Sequence, residues 1–185
     1  MAYFVERCGL VLVATLLATT GGFHLLHLRR VAGVLDDHGI VRRARPGVAA
    51  FVLTMSELAI AAIALVALTT GEWRIAAVAS STALAAGLGF VMYLHRLLQA
   101  GHSGSCGCTP LDAALTPASF APAVALAAAG ALGLSASLVG GSDPVSGAAW
   151  TALPVAWGLA LTGLVVLLPA TAPQLRPTDA SEPSR

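Results

Sequence analysis

The stretch VAAFVLTMSELAIAAIALVALTT, Val48–Thr70, holds a single ionisable residue, Glu57, in 23 positions. A helix of that length rises about 35 Å, enough to cross the ~30 Å hydrocarbon core of a bilayer. Four more apolar runs of comparable length surround it, at Cys8–Leu28, Ile75–Leu98, Phe120–Val139 and Ala149–Leu168. Inside lipid every backbone amide must be bonded, which leaves helices or a closed barrel, and the period-2 alternation of barrel strands is absent. The expected fold is all-α, a polytopic transmembrane bundle of five helices within residues 1–169. The tail 170–185, rich in Pro, Ser, Thr and acidic residues, is expected to be disordered.

Composition supports the same solvent. The chain is 57% hydrophobic and only 10% charged, whereas soluble domains carry about 25% charged residues. Net charge is +1, which gives no nucleic-acid footprint. The first run is followed by an Arg-rich segment and by no clear Ala-x-Ala site, so an uncleaved first helix is expected rather than a signal peptide. Trp73 and Trp150 stand where interfacial anchors belong. Small residues recur every four positions in the third span (Ala79, Ala83, Gly87) and the fourth (Ala129, Gly133, Ser137), predicting close helix packing.

Arginine supplies all ten basic residues, and its distribution fixes the topology. With five spans, eight arginines fall on the side of the 1–2 loop, the 3–4 loop and the C-terminus, against Arg7 and Arg74 on the other. The positive-inside rule then predicts the N-terminus outside and the C-terminus inside. His24, His27, His38, His95, His102, Cys106 and Cys108 share the Arg-rich side, and Cys8 lies near the opposite face.

Two places carry candidate chemistry. His102-Ser-Gly-Ser-Cys106-Gly107-Cys108-Thr-Pro110 follows the third span. Thiols separated by one glycine close a small, strained and readily reduced disulfide ring. The alternative is a soft metal, zinc or copper, on His102, Cys106 and Cys108; the plain alternative is a pair of unpaired loop cysteines. Glu57 is the other candidate, because a carboxyl well inside an apolar span is expensive and faces the bundle interior. It could relay protons, hydrogen-bond a quinone head group or pair with a histidine. His24 and His27 lie three apart near the Arg-rich end of the first span, and His95 sits at the matching end of the third.

Met55-Ser56-Glu57-Leu58, Leu94-His95-Arg96-Leu97-Leu98 and Ser105-Cys106-Gly107-Cys108, in that order across Val11–Gly141, resemble the MauE-like branch of the broader DoxX-like membrane proteins. Thr109-Pro110 stands where that family carries Phe-Gly, and Ala121-Pro122 where it carries Arg-Asn. The resemblance implies a membrane factor linked to methylamine metabolism. Such a factor assists maturation of a disulfide-rich enzyme subunit alongside a thioredoxin-like partner.

The leading expectation is therefore a multi-pass protein of a bacterial inner membrane that performs thiol–disulfide exchange, an oxidoreductase reaction. Cys106 and Cys108 form the exchanging pair, with Glu57 and His95 as quinone or proton contacts. A metal-handling or assembly factor, and a small solute transporter coupled through Glu57, are the alternatives. The expected partners are the lipid bilayer and a thioredoxin-like protein. Oligomeric state is left open.

Overall fold

The computed structural model describes residues 2–39, 45–101, 115–139 and 154–163, and all the regular structure among them is helical. Five α-helices follow in order: α1 (Ala2–Leu26), α2 (Leu28–Asp37), α3 (Pro46–Thr70), α4 (Trp73–Gln99) and α5 (Ala121–Val139). A short 3-10 helix, Pro117–Phe120, leads into α5. Residues 154–163 form a further helix, α6. Four of the described segments are long and apolar enough to cross a membrane: Tyr3–Leu26, Pro46–Thr70, Trp73–Gln99 and Pro117–Val139. The fifth expected span is described only over its central residues 154–163; its ends, and the tail from 170 onward, lie outside the described residues.

Along α3 burial runs opposite to that of a water-soluble bundle, whereas α1 buries Leu10, Val13, Leu16 and Leu17. In α3 the buried positions are Ala50, Thr54, Glu57, Ala61, Ala64 and Ala67, all small or polar. Phe51, Val52, Leu65 and Val66 on the same helix face outward. Lipid tails are as apolar as leucine, so large aliphatic side chains gain nothing by hiding, while small ones let backbones approach. Hydroxyls in the interior are satisfied locally: Thr54 donates to the Ala50 carbonyl and Ser137 to that of Gly133.

The tightest approach is between α4 and α5. A Cβ at Gly87 would stand 2.5 Å from the Ala127 backbone nitrogen, and one at Gly130 would stand 2.5 Å from that of Leu84. Of the small-residue faces expected on the third and fourth spans, Gly87 packs against Ala123 and Ala127 of α5 and Gly133 against Ser80 of α4, whereas Ala129 meets Gly9 of α1; Ala79 and Ala83 are fully buried. The antiparallel order follows from the contacts. Gly21 lies over Glu57 and Leu58 of α3, and Gly9 over Ala129 of α5. By contrast Gly158 lies over Val11 and Cys8, and Thr162 bonds Thr15 at 2.7 Å, so α6 runs parallel to α1. That is the direction a fifth crossing must take.

Two features differ from expectation or extend it. The segment after α1 was expected to be a connecting loop, Arg29–Gly47, but its first part, to Asp37, belongs to a helix that begins at Leu28. Val31, Val34 and Leu35 turn toward the bundle while Arg29, Arg30, Asp36 and Asp37 face out. That i, i+3, i+4 apolar stripe beneath a charged face is what an interfacial helix requires. At the other end, Arg7 donates to the Leu68 carbonyl in the last turn of α3 and stands 4.9 Å from the Tyr3 ring. One of the two arginines on the Arg-poor side thus serves as a cap for orphan helix carbonyls. Gly71 closes the same helix end with φ +70°, a left-handed conformation that favours glycine.

Candidate functional site

Several polar residues of the Arg-rich half of the bundle converge on one cavity. Glu57 lies eleven residues after Pro46, so it stands about 16 Å along α3 and near mid-membrane. Opposite it on α1 is His24. The Nδ1 of His24 and the Oε2 of Glu57 are 2.7 Å apart, with the side chains only 3% and 5% exposed. The approach depends on Gly21, one turn earlier on α1. A Cβ there would come within 3.2 Å of the Glu57 Cβ and 3.0 Å of the Leu58 side chain, so a larger residue would need those side chains to give by a few tenths of an ångström.

The pair opens into a partly enclosed cavity of about 60 Å³. A single water needs roughly 10–15 Å³ by this measure, so about four fit. Thr20, Tyr93 and Ser119 add hydroxyls to the lining. The rest of the wall is apolar, with Leu16 and Leu17 from α1, Leu53 from α3, Phe90 and Leu94 from α4, and Leu126 from α5. The inner stripe of α2 covers the Arg-rich end through Val31, Val34 and Leu35. The Tyr93 hydroxyl is itself held: it shares a hydrogen bond of 2.5 Å with Nδ1 of His38, a buried residue just past α2. Two histidine-centred pairs therefore stand at this cavity, His24–Glu57 within it and His38–Tyr93 at its wall. An array of this kind can store a proton, pass it on, or bind a polar head group in an apolar setting.

The other histidines stand apart. His27 occupies the break between α1 and α2, exposed, its ring stacked on Phe23 at 4.4 Å. His95 is exposed on α4 and bonds Gln99 at 3.0 Å; it does not line the cavity. Of the expected quinone or proton contacts, the structure brings Glu57 to the cavity and leaves His95 outside it. His102, Cys106 and Cys108 fall in 102–114, outside the described residues. Their flanks are described: Gly101 follows the end of α4, and Leu115 is buried against Leu94, Leu97 and Ala123 beside the cavity wall. Among the described residues, no group of three His, Cys, Asp or Glu side chains is placed to hold a metal ion.

Tyr93, Thr20 and Ser119 were not singled out in the sequence. Tyr93 had a findable signal, as one of two tyrosines in the chain and the polar residue two before His95. Thr20 and Ser119 had none, because hydroxyls are scattered through every span.

The family model for methylamine utilisation protein MauE matches residues 1–141, from α1 to the residues just past α5. The chain belongs to the MauE family. The matched region contains the whole cavity and runs through the Cys106-Gly107-Cys108 motif. It ends before α6, so the MauE part of the chain is the four-span bundle with its amphipathic α2. No curated protein and no solved structure matches the chain. Membership and the apolar helices together make this a multi-pass membrane protein, consistent with a role in methylamine utilisation.

Proposed function

We propose that this MauE-family protein is a membrane thiol–disulfide redox factor for the maturation of exported, disulfide-bearing proteins. Cys106 and Cys108 are its exchanging pair, and a thioredoxin-like protein is its soluble partner. The observation that carries the proposal is that the family match, residues 1–141, spans Cys106-Gly107-Cys108. Support also comes from chemistry at the flanks. The link between Gly101 and Leu115 is tied at both ends to the elements that wall the His24–Glu57 cavity. Exchange proceeds by thiolate attack on a disulfide sulfur through a mixed disulfide, and each cycle moves protons as well as electrons. A buried acid–histidine pair in the same bundle is suited to take up or supply them. The membrane is proposed to be a bacterial inner membrane.

The test is thiol labelling with a membrane-impermeant maleimide in intact cells, before and after reduction, in a Cys8→Ser background. Labelling that appears only after reduction is expected, reporting an oxidised pair on the outer face and overruling the arginine count. Single Cys106→Ser and Cys108→Ser variants are expected to abolish exchange with a thioredoxin-like protein, and one of them to accumulate a mixed disulfide. Retained exchange in both single variants would refute the proposal.

A further inference from the structure

We propose that the cavity among α1, α3, α4 and α5 is a binding site for a lipid-soluble quinone, its head group held by His24, Glu57 and Tyr93. The helices around it present Leu65, Val66, Leu88 and Met92 to the exterior, so a ligand reaching the bundle laterally comes from the hydrocarbon phase. The cavity wall is itself mostly apolar, which accepts an apolar body. Its polar groups are few and of one kind: a histidine–carboxyl pair and the hydroxyls of Thr20, Tyr93 and Ser119. A small number of placed polar groups in an apolar recess is the ordinary make-up of a small-molecule site.

Charge selects among membrane-soluble ligands. Among the described residues no arginine lines the cavity, and Glu57 does. A phosphate or fatty-acid carboxylate would meet a buried acid whose described partner, His24, is already engaged with it, which low dielectric makes costly. A neutral head with carbonyl oxygens meets no such obstacle, because hydroxyl and imidazole groups can donate to it. The acid–histidine pair also matches the chemistry of such a head. A quinone reduced to a quinol takes up two electrons and two protons; two thiols joining as a disulfide release two electrons and two protons. The electron balance rests on the thiol–disulfide reading above, with the quinone oxidising the dithiol, whereas binding to the cavity does not.

The test uses the full-length protein in nanodiscs, titrated with short-tailed ubiquinone and menaquinone analogues and followed by equilibrium binding. Saturable binding of one quinone per chain is expected. Glu57→Gln and Tyr93→Phe should each weaken it by about tenfold, the loss of one hydrogen bond to a buried group. Leu53→Trp, which fills the cavity from α3, should abolish binding while the thermal transition stays sharp. Absence of saturable binding to the folded wild-type protein would overturn the proposal, and so would binding untouched by Leu53→Trp. Effective competition by an anionic phospholipid would assign the site to a lipid headgroup and overturn it equally. The Cys106→Ser/Cys108→Ser double variant should bind quinone normally while losing exchange. Dependence of binding on the cysteines would place the site elsewhere. Exchange that persists without quinone binding would sink this proposal alone and leave the thiol–disulfide reading with another acceptor.

Discussion

Replacing His24 by leucine tests how the bundle tolerates a carboxyl at mid-membrane. Glu57 is 4% exposed and its carboxyl oxygen stands 2.7 Å from His24 Nδ1. Removing one partner of a buried ionisable pair costs about 3–5 kcal/mol in soluble proteins. Insertion scales place an acid at the centre of a spanning helix at about 2.5–3.5 kcal/mol. The adjoining cavity moderates the penalty, since its 60 Å³ leaves room for water beside the carboxyl. His24→Leu is therefore expected to destabilise the protein by about 2–3 kcal/mol. Glu57→Leu leaves a histidine that can remain neutral, and should cost about 1 kcal/mol, the net worth of a hydrogen bond. The double variant replaces both groups by apolar ones and should also cost only about 1 kcal/mol. A double-mutant cycle then yields a coupling of about 2 kcal/mol or more. The assay is reversible unfolding of the full-length protein in detergent. On a scale of about 2–4 °C per kcal/mol for chains of this size, His24→Leu lowers Tm by about 4–12 °C. Additive single effects, or a His24→Leu cost below about 0.5 kcal/mol, would show that the pair does not hold the acid.

Gly87 and Gly89 offer a matched comparison on α4. A Cβ at Gly87 meets the backbone of α5 at 2.5 Å, whereas nothing lies within 4 Å of one at Gly89. Gly87→Ala is expected to lower stability by about 1–3 kcal/mol through forced separation of α4 and α5. Gly89→Ala should be neutral or stabilising by up to about 1 kcal/mol, since alanine is the better helix former. Thermal unfolding of the two variants side by side checks the contrast. Arg7→Ala removes the side-chain donor to Leu68 and the contact with Tyr3, and should cost about 1–3 kcal/mol, measured the same way. An unchanged Tm would mean that Arg7 serves only topology.

The spans were legible from the sequence because bilayer thickness imposes a length, and an apolar run of that length has few other uses. Pro46–Thr70 and Trp73–Gln99 emerge almost where hydropathy puts them, at Val48–Thr70 and Ile75–Leu98. Small-residue faces were legible for a similar reason, since close backbone approach demands them whatever the neighbour. Glu57 announced itself by cost: an acid within an apolar run is conspicuous in one dimension. The α2 stripe of Val31, Val34 and Leu35 was present in the sequence but masked by the arginines and aspartates around it, which read as a loop. What no linear pattern supplied was the choice of partner. His24, His27 and His95 all cluster near one end of the bundle, and spacing treats them alike. Packing of α1 on α3, with Gly21 close to Glu57 and Leu58, turns His24 onto Glu57 and leaves His27 in the turn beyond. The pitch of α4 turns Tyr93 into the cavity and His95 away from it, because residues two apart on a helix face different directions. Sequence alone thus determined the solvent, the crossings and the buried acid, each a property of composition along the chain. Only the packing of one helix against another decided which side chains meet that acid.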